Sequence, residues 1–160
     1  MDRFVSNVTL RLDAKGRVSV PASYRQVLAR DGFDGLYCYP SLDAPALDAG
    51  GHALLKEIEA LIGDFPPYSD EREQFSVALY GTSETLKLDG EGRVILTERL
   101  KAHAGITEAV AFVGLGHKFQ IWEPERFRAH LTEATGKVRA LRTQLGARRA
   151  ARDALGARER

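Results

Sequence analysis

Leu12-Asp13-Ala14-Lys15-Gly16-Arg17-Val18 returns as Leu88-Asp89-Gly90-Glu91-Gly92-Arg93-Val94, 76 residues further on. A Leu-Asp-x-x-Gly-Arg-Val stretch repeated in fixed register means one small module used twice, with the same turn and the same arginine displayed twice. The chain has 160 residues, 44% of them hydrophobic, so it can bury a core. A unit of about 70–80 residues is marginal alone, because too little of its surface is removed from water, and is expected to lean on its twin or on a neighbouring subunit.

Outward from the first copy, Val8, Leu10 and Leu12 alternate with Thr9 and Arg11, and period two predicts a half-buried strand. Asp13-Ala14-Lys15-Gly16 reads as a turn, since Asp bonds its own backbone two residues on and Gly supplies positive φ. Arg17-Val18-Ser19-Val20 resumes the alternation, giving strand, turn, strand. Pro21 fits the first position of a helix, where a missing N–H costs little. That helix runs through Tyr24, Val27 and Leu28 to Asp31-Gly32, and Leu36-Tyr37-Cys38-Tyr39 is a short strand stopped by Pro40. Ser41 to Gly51, rich in Asp, Ala, Pro and Gly, reads as a loop.

The second copy keeps this order. Leu86 and Leu88 alternate with Thr85 and Lys87, Asp89 to Gly92 turns, and Val94-Ile95-Leu96 returns. Thr97 stands where Pro21 stood and can cap the next helix through its hydroxyl. That helix ends near Gly105, and Val110–Val113 with Phe119–Trp122 form a hairpin around Gly114-Leu115-Gly116. Between the copies, Leu54, Leu55, Ile58, Leu61 and Ile62 have helical spacing until Pro66-Pro67. Ser69 caps a second helix with Asp70 and Glu71 in its first turn and Phe75 and Leu79 inward. Pro124 starts a last helix through Phe127 and Leu131, and Val138, Leu141 and Leu145 extend its stripe. Beyond lies a tail of Ala and Arg with little to dock, where the bland reading is a solvated, frayed end.

The formal net charge of +1 hides an asymmetry. Residues 137–160 hold eight Lys and Arg against Asp153 and Glu159, net +6, and the rest of the chain is net −5. Such a tail suits nucleic acid or an acidic partner. One cysteine, Cys38, excludes an internal disulfide and fits a reducing cytoplasm. Met1–Ser6 has no long apolar stretch, so no signal peptide is expected, and no apolar run approaches the roughly 20 residues that cross a bilayer.

Structurally, the repeated turn reads as Asp capping the turn, Gly permitting it and Arg pairing with Asp. Functionally, Arg11, Lys15 and Arg17 crowd one hairpin, with Arg25 on the following helix, a surface that can hold phosphates and reach base edges. Arg suits this, because its planar fork makes two hydrogen bonds to guanine or phosphate. The second copy offers Lys87 and Arg93, but Glu91 replaces Lys15 and repels a phosphate, so the first copy is expected to be the stronger contact. Asp13, Gly16, Asp89 and Gly92 are read as shaping the turns and, for the two acids, orienting their arginines.

Leu-Asp-x-Lys-Gly-Arg-Val-x-x-Pro before a helix, then a second Asp-x-x-Gly-Arg followed by Phe112-Val113-Gly114-Leu115-Gly116-His117 and Ile121-Trp122-Glu123-Pro124, resembles the MraZ proteins. These are bacterial transcriptional regulators built from two SpoVT-AbrB-type units. The likeness covers most of residues 4–130. It implies an α+β fold in which two β-hairpin/helix units form a small β-barrel-like core with a swapped-hairpin arrangement. The expected division is unit 1 at 7–54, a helical connector at 55–82, unit 2 at 83–126, and a C-terminal helix and basic tail at 127–160. It further implies ring-like homo-oligomers and binding of double-stranded DNA at short direct repeats in the protein's own promoter region. The role implied is that of a repressor of the division and cell-wall gene cluster, cytoplasmic and nucleoid-associated, with no membrane partner. The family's Asp-x-x-x-Arg motif carries over to Asp13/Arg17 and Asp89/Arg93. This chain departs from the family at Thr97, where Pro is frequent, and at Glu91, which is less basic than is usual there.

Two other classes are weighed beside this one. An antitoxin-like protein of the same fold would act through a protein partner, but such chains usually carry one unit and an acidic tail. An enzyme would need a catalytic constellation, and none is visible. His52, His103, His117 and His130 lie at no metal-ligand spacing, and Cys38 is alone, so neither a metal nor a cofactor is expected. Gly114-Leu115-Gly116 lacks the third glycine of a dinucleotide fingerprint and reads as a hairpin turn. Asp70, Glu71 and Glu73 read as a solvated helix start, and Trp122 with the Tyr and Phe set reads as core.

Overall fold

The computed structural model describes residues 2–159. The elements are β1 (Asn7–Arg11), β2 (Arg17–Ser19), α1 (Ala22–Arg30), β3 (Leu36–Pro40), β4 (Leu47–Gly50), α2 (His52–Gly63), α3 (Asp70–Leu79), β5 (Glu84–Leu86), β6 (Arg93–Ile95), α4 (Glu98–Ala104), β7 (Ala109–Gly114), β8 (Phe119–Trp122) and α5 (Pro124–Glu159). The fold is mixed α+β with antiparallel pairing in every ladder. Helix starts follow local chemistry. Ser69 Oγ accepts from the Arg72 N–H at 3.2 Å, and Thr97 Oγ1 accepts from the Leu100 N–H at 3.4 Å, each satisfying an orphan donor of its helix.

Six strands form one sheet in the order β1-β7-β8-β4-β3-β5, and β2 pairs with β6 in a second. The repeat makes β1 equivalent to β5, β7 to β3 and β8 to β4, so the six-stranded order reads the same from either end. The first strand of each copy pairs with the third strand of the other: Val8 opposes Phe112, and Thr85 opposes Tyr37. In the small sheet Val18 opposes Val94, its own equivalent 76 residues on, which places a local two-fold axis between them. The copies are therefore interleaved. This corrects the reading of each copy as a strand, turn, strand hairpin: the arms part after the turn, β1 to β7 and β2 to β6.

The core sits between the two sheets and α1 and α4. Val18, Val20, Leu28, Leu36, Leu47, Val94, Leu96, Leu100, Val110, Phe112, Phe119 and Ile121 are buried there. Tyr24 and Phe119 lie 5.0 Å apart by ring centroid, and the Tyr24 hydroxyl donates to the Ser6 carbonyl at 2.8 Å, so the one polar atom of that ring is satisfied. A second cluster, Tyr37, Tyr39, Leu54, Ile58, Ile62 and Leu79, packs under α2 and α3.

Ser41 to Gly51 is not all loop. Its second half is β4, a central strand with four buried residues. Asp48 lies within it, 5% exposed, and accepts from Gln120 Nε2 at 2.8 Å and from Lys118 Nζ at 3.3 Å, which offsets the cost of burying a carboxylate. Pro40 is the last residue of β3 rather than the residue that stops it.

The chain divides into two compact units, one running to Pro124 and one from Glu125. The second is the long helix α5. The expectation of a frayed tail is corrected: α5 continues to Glu159, because Ala, Leu, Arg and Gln are strong helix formers and no proline follows Pro124. At 1.5 Å per residue it is about 54 Å long. Among the described residues no helix is long and apolar enough to cross a membrane.

Candidate nucleic-acid interface

Each repeated turn is built around its aspartate. Asp13 Oδ1 accepts from the backbone N–H of Lys15 and of Arg17, both at 2.9 Å, and its Oδ2 accepts from Arg17 Nε at 2.7 Å. The Gly16 N–H donates to the Asp13 carbonyl at 3.0 Å, and the Asp13 N–H to the Arg17 carbonyl at 2.8 Å. Asp89 repeats this set: the N–H groups of Glu91 and Arg93 at 2.9 Å, and Arg93 Nε at 2.9 Å. Gly16 and Gly92 sit at φ +79° and +78°, a left-handed conformation that costs an L residue about 1–2 kcal/mol.

The carboxylates stay ionised below the ordinary aspartate range. Backbone N–H donation, from Arg17 to Asp13 and from Arg93 to Asp89, is the largest cause of that lowering. Both pKa values are depressed on folding. The stability these clamps add is thus present above the ordinary aspartate value and lost as pH falls through the depressed one. Arg93 is held protonated still more firmly, first by its side-chain hydrogen bond to Asp89.

The clamp grips each arginine at Nε, and the side chains of Arg17 and Arg93 are half-buried, 28% and 24% exposed. β2 and β6 carry these arginines on one face. Val18 and Val94 point inward, each 1% exposed, so Arg17, Ser19, Arg93 and Ile95 share the opposite face by the two-residue period of a strand. Ile95 is 56% exposed. The register sets Arg17 opposite Ile95 and Ser19 opposite Arg93, so the two guanidinium groups lie on a diagonal of a two-stranded ribbon.

The two arginines are unequal. No described residue engages the terminal nitrogens of Arg17. Arg93 Nη1 faces Glu91 at 3.5 Å and Asp13 of the other turn at 3.9 Å, so its fork is partly occupied by acids.

Arg25 lies at the other turn from the one expected. A Cβ built on Gly92 would come within 2.7 Å of the Arg25 guanidinium, and Arg25 Nε donates to the Val20 carbonyl at 3.1 Å. Lys101, its equivalent 76 residues on, has Nζ 3.9 Å from the Cβ position of Gly16 and pairs with Glu98 at 2.9 Å. Each turn thus carries the basic residue from the helix of the other copy, a consequence of the interleaving. Arg25 adds to the second turn the positive charge that Glu91 removes. The sequence held a signal for Lys101, since the repeat places a cation at both 25 and 101.

Arg11 is exposed on β1 and Lys87 follows β5, and these strands are the two opposite edges of the six-stranded sheet. The structure therefore brings together Asp13, Gly16, Arg17, Asp89, Gly92 and Arg93 around the ribbon, with Lys15 exposed on the first turn, while Arg11 and Lys87 each stand exposed two residues before a turn's aspartate. Ser19 and Ile95, which share the ribbon's outer face, were not singled out by sequence because nothing local marks them.

Gly92→Ala tests the packing of the second turn. Its expected cost is about 1–2 kcal/mol from the φ constraint, as for Gly16→Ala. It alone should also displace Arg25, seen as loss of the Arg25 Nε–Val20 contact by NMR. Equal spectra at Arg25 in both variants would refute that packing.

The sequence model of the family described as "MraZ protein, putative antitoxin-like" matches residues 79–145. The transcriptional regulator MraZ of Xanthobacter autotrophicus is 68% identical over 148 residues, covering 92% of this chain and 94% of that protein. That of Methylocella silvestris is 67% identical over 154 residues, covering 96% and 94%. That of Rickettsia bellii is 42% identical over 134 residues, covering 84% and 87%. At such identity over nearly the whole length of both partners, this chain belongs to the MraZ family.

Proposed function

We propose that this chain is a sequence-specific regulator of transcription that binds double-stranded DNA. One observation carries the reading: two arginines, Arg17 and Arg93, each clamped at Nε by its own aspartate, share the outer face of a two-stranded ribbon. A two-stranded ribbon fits the major groove, and an arginine fork pairs with guanine or phosphate through two hydrogen bonds. The relatives' name, transcriptional regulator, supports the class. The contact residues proposed are Arg11, Lys15, Arg17, Lys87 and Arg93, with Asp13, Gly16, Asp89 and Gly92 shaping the turns. The carboxylates serve the arginines rather than the DNA, since a carboxylate facing phosphate is unfavourable. No reaction is assigned to the chain.

The finer reading is a repressor of the division and cell-wall gene cluster, acting in the cytoplasm on the nucleoid at short direct repeats upstream of its own gene. Its two SpoVT-AbrB-type units are 7–54 and 83–126, joined by the connector 55–82, with 127–160 as helix and basic tail. The palindromic strand order supports a pair of like units. Two similar but non-identical units can join chains head to tail and close into a ring. A ring multiplies weak ribbons through effective concentration, which lets a body of net charge −5 hold DNA when the repeats are spaced to match.

Footprinting on the DNA upstream of the protein's own gene tests this. Protection of short direct repeats is expected, and no protection would overturn it. Glu91→Lys should raise affinity and steepen the salt dependence by about one unit of slope for one further phosphate, since it also removes one of the two acids that face Arg93 Nη1. An unchanged slope across a salt titration would mean that the second turn does not face DNA.

A further inference from the structure

We infer that α5 docks antiparallel on α3 of a second copy of this chain. The inference concerns a protein surface and rests on no DNA contact.

On α3, Asp70, Glu73 and Val77 fall at intervals of seven and four residues back from Val77 and share one helix face. Val77 is 61% exposed in a shallow groove that the two acids also line. On α5, Leu145, Arg149 and Arg152 fall at four and seven residues forward from Leu145, again on one face. Leu145 is 54% exposed. None of the four charged residues makes an ion pair among the described residues.

The two stripes are complementary only when the helices run in opposite directions. Helical rise puts each nearer charge about 6 Å and each farther charge about 10.5 Å from its apolar residue. Val77 then meets Leu145, Glu73 meets Arg149 and Asp70 meets Arg152. Antiparallel alignment also opposes the helix dipoles. The apolar residues decide between a protein and a nucleic acid as the occupant: an arm that only neutralises phosphates has no use for an exposed Leu145. The charges decide between α3 and a second α5. Two copies of a helix with Arg149 and Arg152 on its docking face repel, whereas α3 brings acids in register. Both stripes are exposed in the single chain, so each copy offers one and receives on the other, a head-to-tail contact.

Cross-linking tests this without DNA. Chains with Val77→Cys and chains with Leu145→Cys, differently tagged, are coexpressed and oxidised. Cys38 stays silent, because it is buried and its thiol is pushed up to about 12. The Val77→Cys/Leu145→Cys pair should link about tenfold faster than a Gln26→Cys/Leu145→Cys control, the factor that 1.4 kcal/mol sets. Arg149→Glu with Arg152→Glu on the Leu145→Cys chain should remove the excess, and Asp70→Arg with Glu73→Arg on its partner should restore it. Equal rates for pair and control would overturn the inference. So would faster self-linking of Leu145→Cys chains, which means tail against tail. Shielding of Leu145→Cys from alkylation by duplex DNA, without the cross-link, would make α5 a nucleic-acid arm instead.

Discussion

Arg17→Ala should weaken binding to a specific DNA site by about 1–3 kcal/mol for each ribbon engaged, the usual worth of a bidentate base contact. Where several ribbons of one assembly bind together, the losses accumulate. The fold should survive. Arg17 lies on an exposed turn, and the backbone N–H bonds to Asp13 persist without its side chain. Arg17→Lys should not rescue, since lysine has neither the Nε that Asp13 grips nor the fork beyond it. Arg93→Ala should cost less, because Glu91 and Asp13 already draw on its Nη1. The check is a titration of each variant on specific and on scrambled duplexes, beside a denaturation curve. A loss of equal size on all sequences would make Arg17 a phosphate contact. An Arg17→Ala chain that unfolds would reduce the turn to a structural device.

The parts of this fold that were legible in the sequence are the local ones. Alternation at Val8 to Leu12 marked β1, the hydroxyls of Ser69 and Thr97 marked helix starts, and the repeated Asp-x-x-Gly-Arg marked the turns. Strand partners were not legible. Alternation says that one face of a strand is buried but not against what, so β1 with β2 and β1 with β7 look alike from Thr9 and Arg11. β4 was missed for a related reason. Leu47-Asp48-Ala49-Gly50 has poor strand propensity, and Asp48 is held by Lys118 and Gln120, some 70 residues away. The candidate site inherited the same blindness. Its turns were visible as sequence, but the meeting of Arg25 with Gly92 depends on interleaving that no local pattern announces.

Phe112→Ala should cost about 3–5 kcal/mol, the range for emptying an aromatic site in a packed core. Phe112 is wholly buried, opposes Val8 of β1 and Ile121 of β8, and lies 6.1 Å and 6.2 Å by ring centroid from Phe119 and Tyr24. Tyr24 belongs to the first copy and Phe112 to the second, so the cavity opens in a core that both share. The loss should appear as one transition for residues 2–124. Trp122, the chain's one tryptophan, reports on the second copy by fluorescence, and amide exchange in β3 and β4 reports on the first. Both midpoints should fall together. Two transitions, with only the Trp122 signal moved, would mean that the copies fold apart and that the interleaved sheet is wrong. The consequence reaches the ribbon, because among the described residues β2 pairs only with β6 of the other copy. Neither copy alone can present Arg17 and Arg93 on one face. Any core substitution that separates the copies should therefore abolish DNA binding while leaving both turns, as local hydrogen-bonded loops, able to form.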